Sequence, residues 1–494
     1  MINLLINKIL LYIHISIIIY IIIKVFIRYK DIKSYILWFL ILYIFPIIGI
    51  IFYFIFGEIY SRTQFKNKKS KKIWFRYSKL LKNLQIFYKL NYKDKNIKFK
   101  SLFQLCKNQQ NLLSMTNNSI KLINSSIKSI KLLINDINKA KKSIHIVFYI
   151  WLPGGLVNKF SKSIIMAAKR GVKCYIMLDY IGSRKFFYSS WYNIMLKVVG
   201  IFIIKSLKIT IFKAFFYRID LRQHKKIVLI DNKIAYVGSM NMIDVQLFKK
   251  NIKTGKWIDL MIRIKGPIVN TISIIYSYDW KIETGKNILS IKQLKKNLFK
   301  YKNKNKNKNK NNINRIQVVF SGLELSKKII HNSLITAIYL CKKNLIITTP
   351  YFIPSNNLLL AICIAAKRGV NVKIIVSKYN DSNLIYWASK FFFYKLLKSG
   401  IKIYQLKKDF LHEKSIIIDK QISFIGTVNF DIRSLYLNFE INLIIDDIIF
   451  NNSLLFIQNK YILKSKKLEY NLWIKRPYWH KLIEKLCFLF KYIL

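Results

Sequence analysis

The six residues Ala167-Ala-Lys-Arg-Gly-Val172 occur a second time, letter for letter, as Ala365-Ala-Lys-Arg-Gly-Val370. Each copy follows a helix-like run and precedes an apolar run typical of a buried strand, residues 174–178 in the first copy and 372–376 in the second. A glycine between a helix and a buried strand is typical of an αβ turn. The repeat therefore predicts two copies of one α/β unit.

A second repeated pattern carries chemically reactive side chains. It reads His-x-Lys, four further residues and Asp, as His224-Lys-Lys226-Ile-Val-Leu-Ile-Asp231 and His412-Glu-Lys414-Ser-Ile-Ile-Ile-Asp419. A glycine, a hydroxyl residue and an asparagine follow each His at matched distances, and an acidic residue comes later. These are Gly238, Ser239, Asn241 and Asp259 in the first copy, and Gly426, Thr427, Asn429 and Glu440 in the second. We take the paired pattern as the candidate catalytic site.

The spacing predicts how these side chains meet. Residues i and i+2 of a strand share a face, so each His and its Lys project together about 7 Å apart. The apolar run behind them predicts a buried strand, and Asp231 and Asp419 stand at the turn that follows. The returning strand then brings the hydroxyl and the amide beside the His. Two copies packed face to face would hold one phosphodiester between them.

Such a set of groups suits reaction at phosphorus. Two Lys ammonium groups with Asn, Ser and Thr donors can stabilise the charge that develops during attack, so neither a metal nor another cofactor is expected. One His can attack phosphorus, and the other can protonate the leaving alkoxide and then deprotonate the incoming hydroxyl. Asp259 and Glu440 would each hold the far nitrogen of a His ring. The two motifs are symmetric, so they do not rank the two His.

Two apolar stretches open the chain, at about residues 4–25 and 35–56. Each is long enough to cross a bilayer as a helix, which predicts a transmembrane hairpin. More Lys and Arg follow the second stretch than separate the two, which favours a cytoplasmic body. The five Cys form no C-x-x-C pair, which argues against a disulfide framework and a zinc site and suggests a reducing compartment.

Composition and low-complexity sequence complete the organisation. The formal net charge of +64 permits an anionic partner, but the Lys residues are spread along the whole chain. The tract around residues 302–312 alternates Lys and Asn and predicts a surface linker. The basic, aromatic C-terminus predicts a helix that lies on a membrane surface or docks on the body. The predicted domains are a hairpin (1–60), a basic helical linker (61–115), a first lobe (116–299), the Lys/Asn linker (300–315), a second lobe (316–453) and a C-terminal helix (454–494).

The paired motif resembles the phospholipase D superfamily, and the chain more narrowly resembles bacterial cardiolipin synthases of the enterobacterial type. The resemblance runs through residues 46–58, 148–155, 220–242, 257–267, 279–286, 348–355, 426–440 and 473–479. It implies an α/β fold of two tandem sandwich lobes after a transmembrane hairpin. It also implies a bacterial inner-membrane enzyme that joins two phosphatidylglycerols into cardiolipin and releases glycerol. In that family pattern His224 would carry the phosphatidyl group and His412 would be the acid and base.

Two other functions use the same residues or the same charge. A phospholipase D or nuclease would take water as acceptor, and the apolar N-terminal stretches favour a lipid over a nucleic-acid substrate. A non-catalytic basic membrane protein would organise anionic lipid, and the loss of a motif His, Lys or Asn would have supported it. All of these residues are present.

Overall fold

The computed structural model describes residues 2–28, 32–53, 64–86, 97–208, 221–248, 255–288, 314–322 and 328–491. It divides into two compact units, Met1–Ser70 with Lys208–Leu221, and Lys71–Leu207 with Arg222–Leu494. All but the last two residues of the predicted linker at 300–315 lie outside the described residues.

Helices α1 to α3 lie in the smaller unit, α4 runs from the smaller into the larger unit, and helices and strands alternate through the larger unit. The helices are α1 (Ile2–Arg28), α2 (Ile32–Ile44), α3 (Pro46–Phe52), α4 (Gln64–Ile86), α5 (Lys100–Gln110), α6 (Ser126–Asn138), α7 (Gly155–Lys169), α8 (Arg184–Phe187), α9 (Ser190–Leu196), α10 (Ile268–Thr284), α11 (Ile329–Leu340), α12 (Asn356–Lys367), α13 (Asn383–Lys398), α14 (Ile432–Tyr436), α15 (Ile448–Leu463), α16 (Tyr470–Ile474) and α17 (Tyr478–Leu489). The strands are β1 (Met115–Thr116), β2 (Ser119–Ile123), β3 (Ser143–Phe148), β4 (Lys173–Asp179), β5 (Ile201–Ser206), β6 (Ile227–Ile230), β7 (Ile234–Gly238), β8 (Trp257–Ile258), β9 (Met261–Lys265), β10 (Arg315–Phe320), β11 (Asn344–Thr348), β12 (Phe352–Ile353), β13 (Asn371–Ser377), β14 (Lys402–Leu406), β15 (Phe410–Leu411), β16 (Ser415–Ile418), β17 (Ile422–Gly426), β18 (Phe430–Asp431), β19 (Ile441–Asp446) and β20 (Ser465–Lys467).

The smaller unit contains the two predicted apolar stretches. Within the described residues, one helix is long and apolar enough to cross a membrane, over Ile6–Phe26. The second stretch was predicted as one continuous helix, but it forms α2 and α3, which meet at Phe45. The ring of Pro46 pushes the residue before it out of the helical region, and Phe45 has φ −129° and ψ 70°. The edge-on rings of Trp38 and Tyr53, 5.3 Å apart, lie in the apolar contact between α1 and these helices.

Each repeat forms one mixed sheet, as predicted. The first has seven strands in the order β2-β9-β7-β6-β3-β4-β5. The second has nine, β1-β10-β19-β17-β16-β11-β13-β14-β20, and its inner seven follow the same order as the first. The central strands β3 and β11 each pair in parallel with the strand after the repeated Ala-Ala-Lys-Arg-Gly-Val segment. Each pairs on its other side with the strand that follows the His-x-Lys motif.

The three largest apolar cores among the described residues of this unit hold it together. One lies between the two sheets and includes Val237 of β7, Ile417 of β16 and side chains of α10 and α15. The other two lie on the outer faces, where α6 and α7 cover the first sheet. Helices α5, α11, α12 and α13 cover the second sheet. The two lobes therefore bury their inner faces against each other, which brings one end of each motif strand to a common interface.

The edges of the second sheet come from outside the repeat. Strand β1 precedes the first lobe in sequence yet pairs with β10 of the second, and β20 from the C-terminal segment pairs with β14. The C-terminal helix α17 packs on α13, with the rings of Phe391 and Phe488 stacked 4.0 Å apart. The C-terminal segment thus docks on the body, which was one of the two predicted arrangements.

Glycine is required where the returning strand ends, at Gly238 and Gly426. A Cβ on Gly238 would lie 2.2 Å from the carbonyl oxygen of Leu260 on the next strand, and one on Gly426 would lie 2.2 Å from that of Ile441. A backbone oxygen in a sheet cannot move aside. The matched glycines in the sequence repeat therefore permit close contact of two strands immediately before the site residues.

We expect Gly238→Ala and Gly426→Ala each to lower the free energy of unfolding by about 2 kcal/mol or more, because the strands must separate. The measurement is thermal unfolding of the detergent-solubilised chain. Gly322→Ala is the matched control, since a Cβ there meets nothing within 4 Å. Equal stability of all three variants would contradict this interpretation.

Candidate active site

In each lobe, the segment that leads into the motif His forms backbone hydrogen bonds with the other lobe. His224 donates its backbone N–H to the carbonyl of Phe439 (3.0 Å), and Phe439 donates to the carbonyl of Arg222 (2.9 Å). In the second lobe, β15 pairs in parallel with β8 of the first, and His412 donates to the carbonyl of Ile258 (2.9 Å). These exchanged backbone bonds place each His next to the acidic residue of the opposite lobe.

The two ring contacts cross between the lobes. The Nδ1 of His224 lies 2.8 and 2.9 Å from the two carboxylate oxygens of Glu440. The Nδ1 of His412 lies 2.7 Å from Oδ1 of Asp259. All four side chains are buried. Because Nδ1 is occupied in both rings, Nε2 is the nitrogen of each His that remains for chemistry.

The two motif lysines stand beside the rings without a carboxylate partner. Lys226 and Lys414 are 0% and 4% exposed. Each ammonium donates to the carbonyl of the His two residues earlier, at 2.8 Å for Lys226. Within the described part of the chain neither forms a salt bridge. Two buried cations that face one site favour an anionic ligand there.

The hydroxyl residues support the carboxylates and not the rings. Ser239 donates to Oδ1 of Asp259 (2.7 Å), and Thr427 donates to Oε2 of Glu440. Each hydroxyl therefore orients the acid of its own lobe, which in turn holds the His of the other lobe.

The two asparagines are buried but differ in their contacts. Oδ1 of Asn241 accepts the backbone N–H of Ile150 (3.3 Å), whereas Oδ1 of Asn429 has no partner among the described residues. The structure thus brings together ten of the twelve predicted site residues, which are His224, Lys226, Ser239, Asn241, Asp259, His412, Lys414, Thr427, Asn429 and Glu440.

Burial and mutual repulsion set the protonation of the basic groups. Burial lowers the pKa of His224 well below its usual range, and the Lys226 and Lys414 ammonium groups lower it further. Burial lowers the pKa of His412 to about 4 and that of Lys414 to about 8. A bound phosphate anion would oppose all these shifts, because it favours the protonated forms.

The two carboxyl groups are perturbed in opposite directions. Burial raises the pKa of Glu440 to about 8, although Lys226 opposes this. Burial would also raise the pKa of Asp259, but His412 and Lys414 outweigh it and the pKa is lowered. The sequence motifs are symmetric, but their electrostatic surroundings are not.

The remaining two predicted residues, Asp231 and Asp419, do not reach this site. They lie at the opposite ends of the motif strands, in left-handed turns with φ of 53° and 51°. The Asp231 carboxylate accepts the backbone N–H of Lys141, Lys142 and Ser143 at 2.7–3.0 Å. Asp231 and Asp419 were predicted to be catalytic, and their position corrects that prediction. Each one instead ties its turn to the segment before the central strand.

Asp419 makes the same contacts in the second lobe, with the backbone N–H groups of Lys342, Lys343 and Asn344. Burial opposes ionisation, but the Lys98 ammonium and these N–H groups outweigh it and lower the pKa of Asp419 to about 2. Ionised Asp419 therefore stabilises the folded chain fully above the usual Asp pKa of 3.8, and this contribution is lost as the pH falls towards 2.

Sequence reasoning missed two aromatic rings that cover the His pair. Tyr149 lies 5.1 Å from the ring of His224, and Trp257 lies 4.4 Å from that of His412. Tyr149 follows the central strand β3, and Trp257 precedes the acid by two residues. The sequence could have indicated them through their position beside motif residues. Only the tertiary structure shows that they lie against the His rings.

The residue between His and Lys in each motif was also missed. Lys225 forms a buried ion pair with Asp279 of α10, with Nζ and Oδ2 2.6 Å apart. Glu413 instead accepts the hydroxyl of Tyr461 on α15 (3.0 Å), and burial raises its pKa to about 7. In both lobes this residue therefore fixes the motif strand to a helix. That helix is α10, which follows β9, in the first lobe and α15, which follows β19, in the second.

The family comparisons agree with this geometry. A family model described as "Cardiolipin synthase, PLD-like domain" matches residues 133–256 and 334–455, one match in each lobe. The chain is 47% identical over 464 residues to cardiolipin synthase A of Buchnera aphidicola subsp. Schizaphis graminum, covering 94% of this chain and 93% of that protein. This chain belongs to the cardiolipin synthase family.

Family members from other bacteria match at similar coverage. Cardiolipin synthase A of Pectobacterium carotovorum subsp. carotovorum is 42% identical over 471 residues, which covers 95% of each chain. Among solved structures, the phosphatidylserine synthase of Haemophilus influenzae superposes with a TM-score of 0.60 at 16% identity. It covers 79% of this cardiolipin synthase family member and 99% of the other chain. That similarity shows a shared fold.

We expect Asp231→Asn and Asp419→Asn to lower the free energy of unfolding by about 1–3 kcal/mol each, since charge-assisted bonds to three N–H groups are weakened. Gly322→Ala is the comparison, because a Cβ there meets no described atom within 4 Å. Thermal unfolding at neutral pH measures both. The turn role is refuted when the Asp variants unfold with wild-type stability.

Proposed function

We propose that the chain transfers a phosphatidyl group from one phosphatidylglycerol to the glycerol hydroxyl of a second, forming cardiolipin and releasing glycerol. The observation that carries the proposal is the convergence of two His, two buried Lys and two Asn in a member of the cardiolipin synthase family; neither Lys forms a salt bridge with another described residue. The relatives named above as cardiolipin synthase A share 42% and 47% of their residues with it over more than nine-tenths of the chain.

Substrate binding places the diester phosphate between the lobes. Lys226 and Lys414 supply the positive charge, and Asn241 and Asn429 supply amide donors. The lysines are buried, so they act on the phosphate through little intervening water, where their attraction is stronger than at a surface. A phosphodiester also relieves the repulsion between the two ammonium groups, which favours binding of the anion over the empty site.

In the first step, Nε2 of His224 attacks phosphorus and the bond to the glycerol oxygen breaks. The lowered pKa of His224 keeps its ring uncharged, as a nucleophile requires. Attack through Nε2 requires the ring proton on Nδ1, which is then donated as a hydrogen bond to Glu440. Lys226 and the positive charge that develops on the ring both oppose the burial that raises the pKa of Glu440, so they favour the carboxylate that balances this charge. His412 donates its Nε2 proton to the departing glycerol oxygen, and glycerol leaves.

In the second step, Nε2 of His412 removes the proton from a hydroxyl of the second phosphatidylglycerol. The oxygen attacks phosphorus, the bond to Nε2 of His224 breaks and cardiolipin forms. The bound phosphate and the ionised Asp259 both favour protonation of His412 during this cycle, although its pKa is about 4 in the empty site. Tyr149 and Trp257 cover the rings and limit the access of water.

The membrane arrangement belongs to the same proposal. We infer that α1, and the helix pair α2 and α3, form a hairpin in the bacterial inner membrane and that the larger unit lies on the cytoplasmic side. The support is the length and apolar character of Ile6–Phe26, the contact of α1 with α2 and α3, and the excess of Lys and Arg after the hairpin.

The first test expresses the chain in membranes that lack cardiolipin and follows lipids and glycerol by mass spectrometry. Cardiolipin and free glycerol are expected in equal amounts, and His224→Ala or His412→Ala should each lower both by at least about a thousandfold. Gly322→Ala, where a Cβ meets no described atom within 4 Å, is the control for expression.

Two other outcomes each select a different function. Phosphatidic acid in place of cardiolipin makes water the acceptor and the chain a phospholipase D-type hydrolase. Unchanged lipids with a folded, inserted chain favour a non-catalytic basic membrane protein.

The crossed carboxylates generate a second prediction. Glu440→Gln should slow formation of the phosphatidyl-enzyme, because it disturbs the nucleophile His224. Asp259→Asn should slow both its formation and its breakdown, because His412 is the acid of the first step and the base of the second. The rate of the affected step is expected to fall by a factor of about 10²–10⁴ when the His ring is misdirected. Rapid quenching and mass spectrometry of the intact chain measure the intermediate. Accumulation in Glu440→Gln and not in Asp259→Asn would reverse the two roles.

A further inference from the structure

The C-terminal helix α17 has apolar side chains on two faces, only one of which is covered by the body. The inner face packs on α13, where Phe488 contacts Phe391 (4.0 Å) and Phe392 (5.6 Å). The outer face is exposed. The six exposed apolar residues of α17 and the residue that caps it, here called the C-terminal apolar face, are Tyr478, Trp479, Leu482, Leu486, Leu489 and Phe490.

The exposed residues form a continuous stripe. Tyr478, Leu482, Leu486 and Leu489 follow one another at helical spacing, and they are 79%, 50%, 51% and 71% exposed. A stripe of this length at a surface indicates an interaction site and is not the scattered exposure of ordinary apolar residues. A tryptophan and a tyrosine at one end are typical of helices that lie at a membrane–water interface.

The charges around this face all have one sign. Lys475 and Lys485 are exposed and Lys481 is half-buried. The acid of the helix, Glu484, is buried and held by Arg476, with Oε2 and Nη2 2.6 Å apart. A stripe of apolar side chains flanked by lysines is complementary to an anionic lipid surface. It opposes a symmetric second copy, whose own lysines would face these lysines.

The face also begins close to the active site. Tyr351 donates to Asp381 (2.8 Å), and the charge of Asp381 contributes to the pKa of Lys414. Helix α13 starts two residues after Asp381. Trp387 lies about 6 Å along this helix from its start, and its ring is 6.0 Å from that of Trp479. A bilayer in contact with the C-terminal apolar face would therefore lie near the rim of the site.

We propose that the C-terminal apolar face inserts into the headgroup region of an anionic phospholipid bilayer and holds the active site at the level of its lipid substrate. The insertion is argued from this helix alone, and its consequence for catalysis rests on the function proposed above. A transmembrane anchor limits how far the body can diffuse, whereas a second contact on the body sets its orientation towards the lipid.

The test compares two substrate presentations for the full-length chain in proteoliposomes. One contains phosphatidylglycerol in the bilayer, and the other has a phosphatidylcholine bilayer and receives short-chain phosphatidylglycerol dissolved below its micelle concentration. Leu482→Glu/Leu486→Glu should lose at least about tenfold of the activity on bilayer substrate and less than about twofold on dissolved substrate. Leu360→Glu is the matched control, because Leu360 is 49% exposed on α12.

An equal loss on both substrates would overturn the proposal, since it would indicate damage to the fold or to the site. Full activity of the double variant on bilayer substrate would overturn it as well. Either result leaves the proposed phosphatidyl transfer intact, because that is judged on the unaltered chain.

A second measurement needs no activity. Phosphatidylglycerol vesicles with a photoactivatable diazirine near the lipid headgroup are irradiated with the unaltered chain, and labelled peptides are identified by mass spectrometry. Labelling of residues 478–490 that falls at least about fivefold in the double variant supports insertion. Absence of label there, or crosslinks between two copies through this face, overturns it. Labelling in a chain that makes no cardiolipin would refute the proposed function and leave the insertion standing.

Discussion

The active site depends on one reciprocal contact between the lobes. Each His ring is held at Nδ1 by a carboxylate from the opposite lobe, through Glu440 on His224 and Asp259 on His412. Neither lobe alone can orient its own His. The backbone bonds that carry His224 to Phe439 and His412 to Ile258 are exchanged in the same way, so the correct ring orientation requires both lobes to be folded and packed.

This requirement explains why so much apolar surface lies between the sheets. The site concentrates two buried lysines and two buried carboxyl groups, and removing charges from water is costly even when they partly compensate one another. The central core, which both sheets and the helices α10 and α15 build together, offsets that cost. The same helices anchor the motif strands through Lys225–Asp279 and Glu413–Tyr461. Packing and catalytic geometry are therefore coupled at the residue between each His and Lys.

The two lobes have the same topology but differ in the buried residues around the site. The strand order, the turn aspartates and the strand-end glycines are the same in both. The buried residue between His and Lys is a cation in one and an acid in the other, and the pKa shifts of Glu440 and Asp259 have opposite signs. This asymmetry gives two chemically similar rings different tendencies to hold a proton, which supports the proposed division into a nucleophile and an acid/base.

The sequence by itself determined the repeat and the α/β class, and it predicted ten residues that the structure brings together at the candidate site, because strand periodicity and matched spacing are local properties. It placed Asp231 and Asp419 in the turns after the motif strands, but only the tertiary structure showed that they bind the backbone before the central strands and do not reach the site. It named Asp259 and Glu440 as the ring partners, yet only the tertiary structure decided that each acid serves the His of the other lobe. Pairing across lobes depends on contacts between residues 153 and 216 positions apart, which no local pattern encodes.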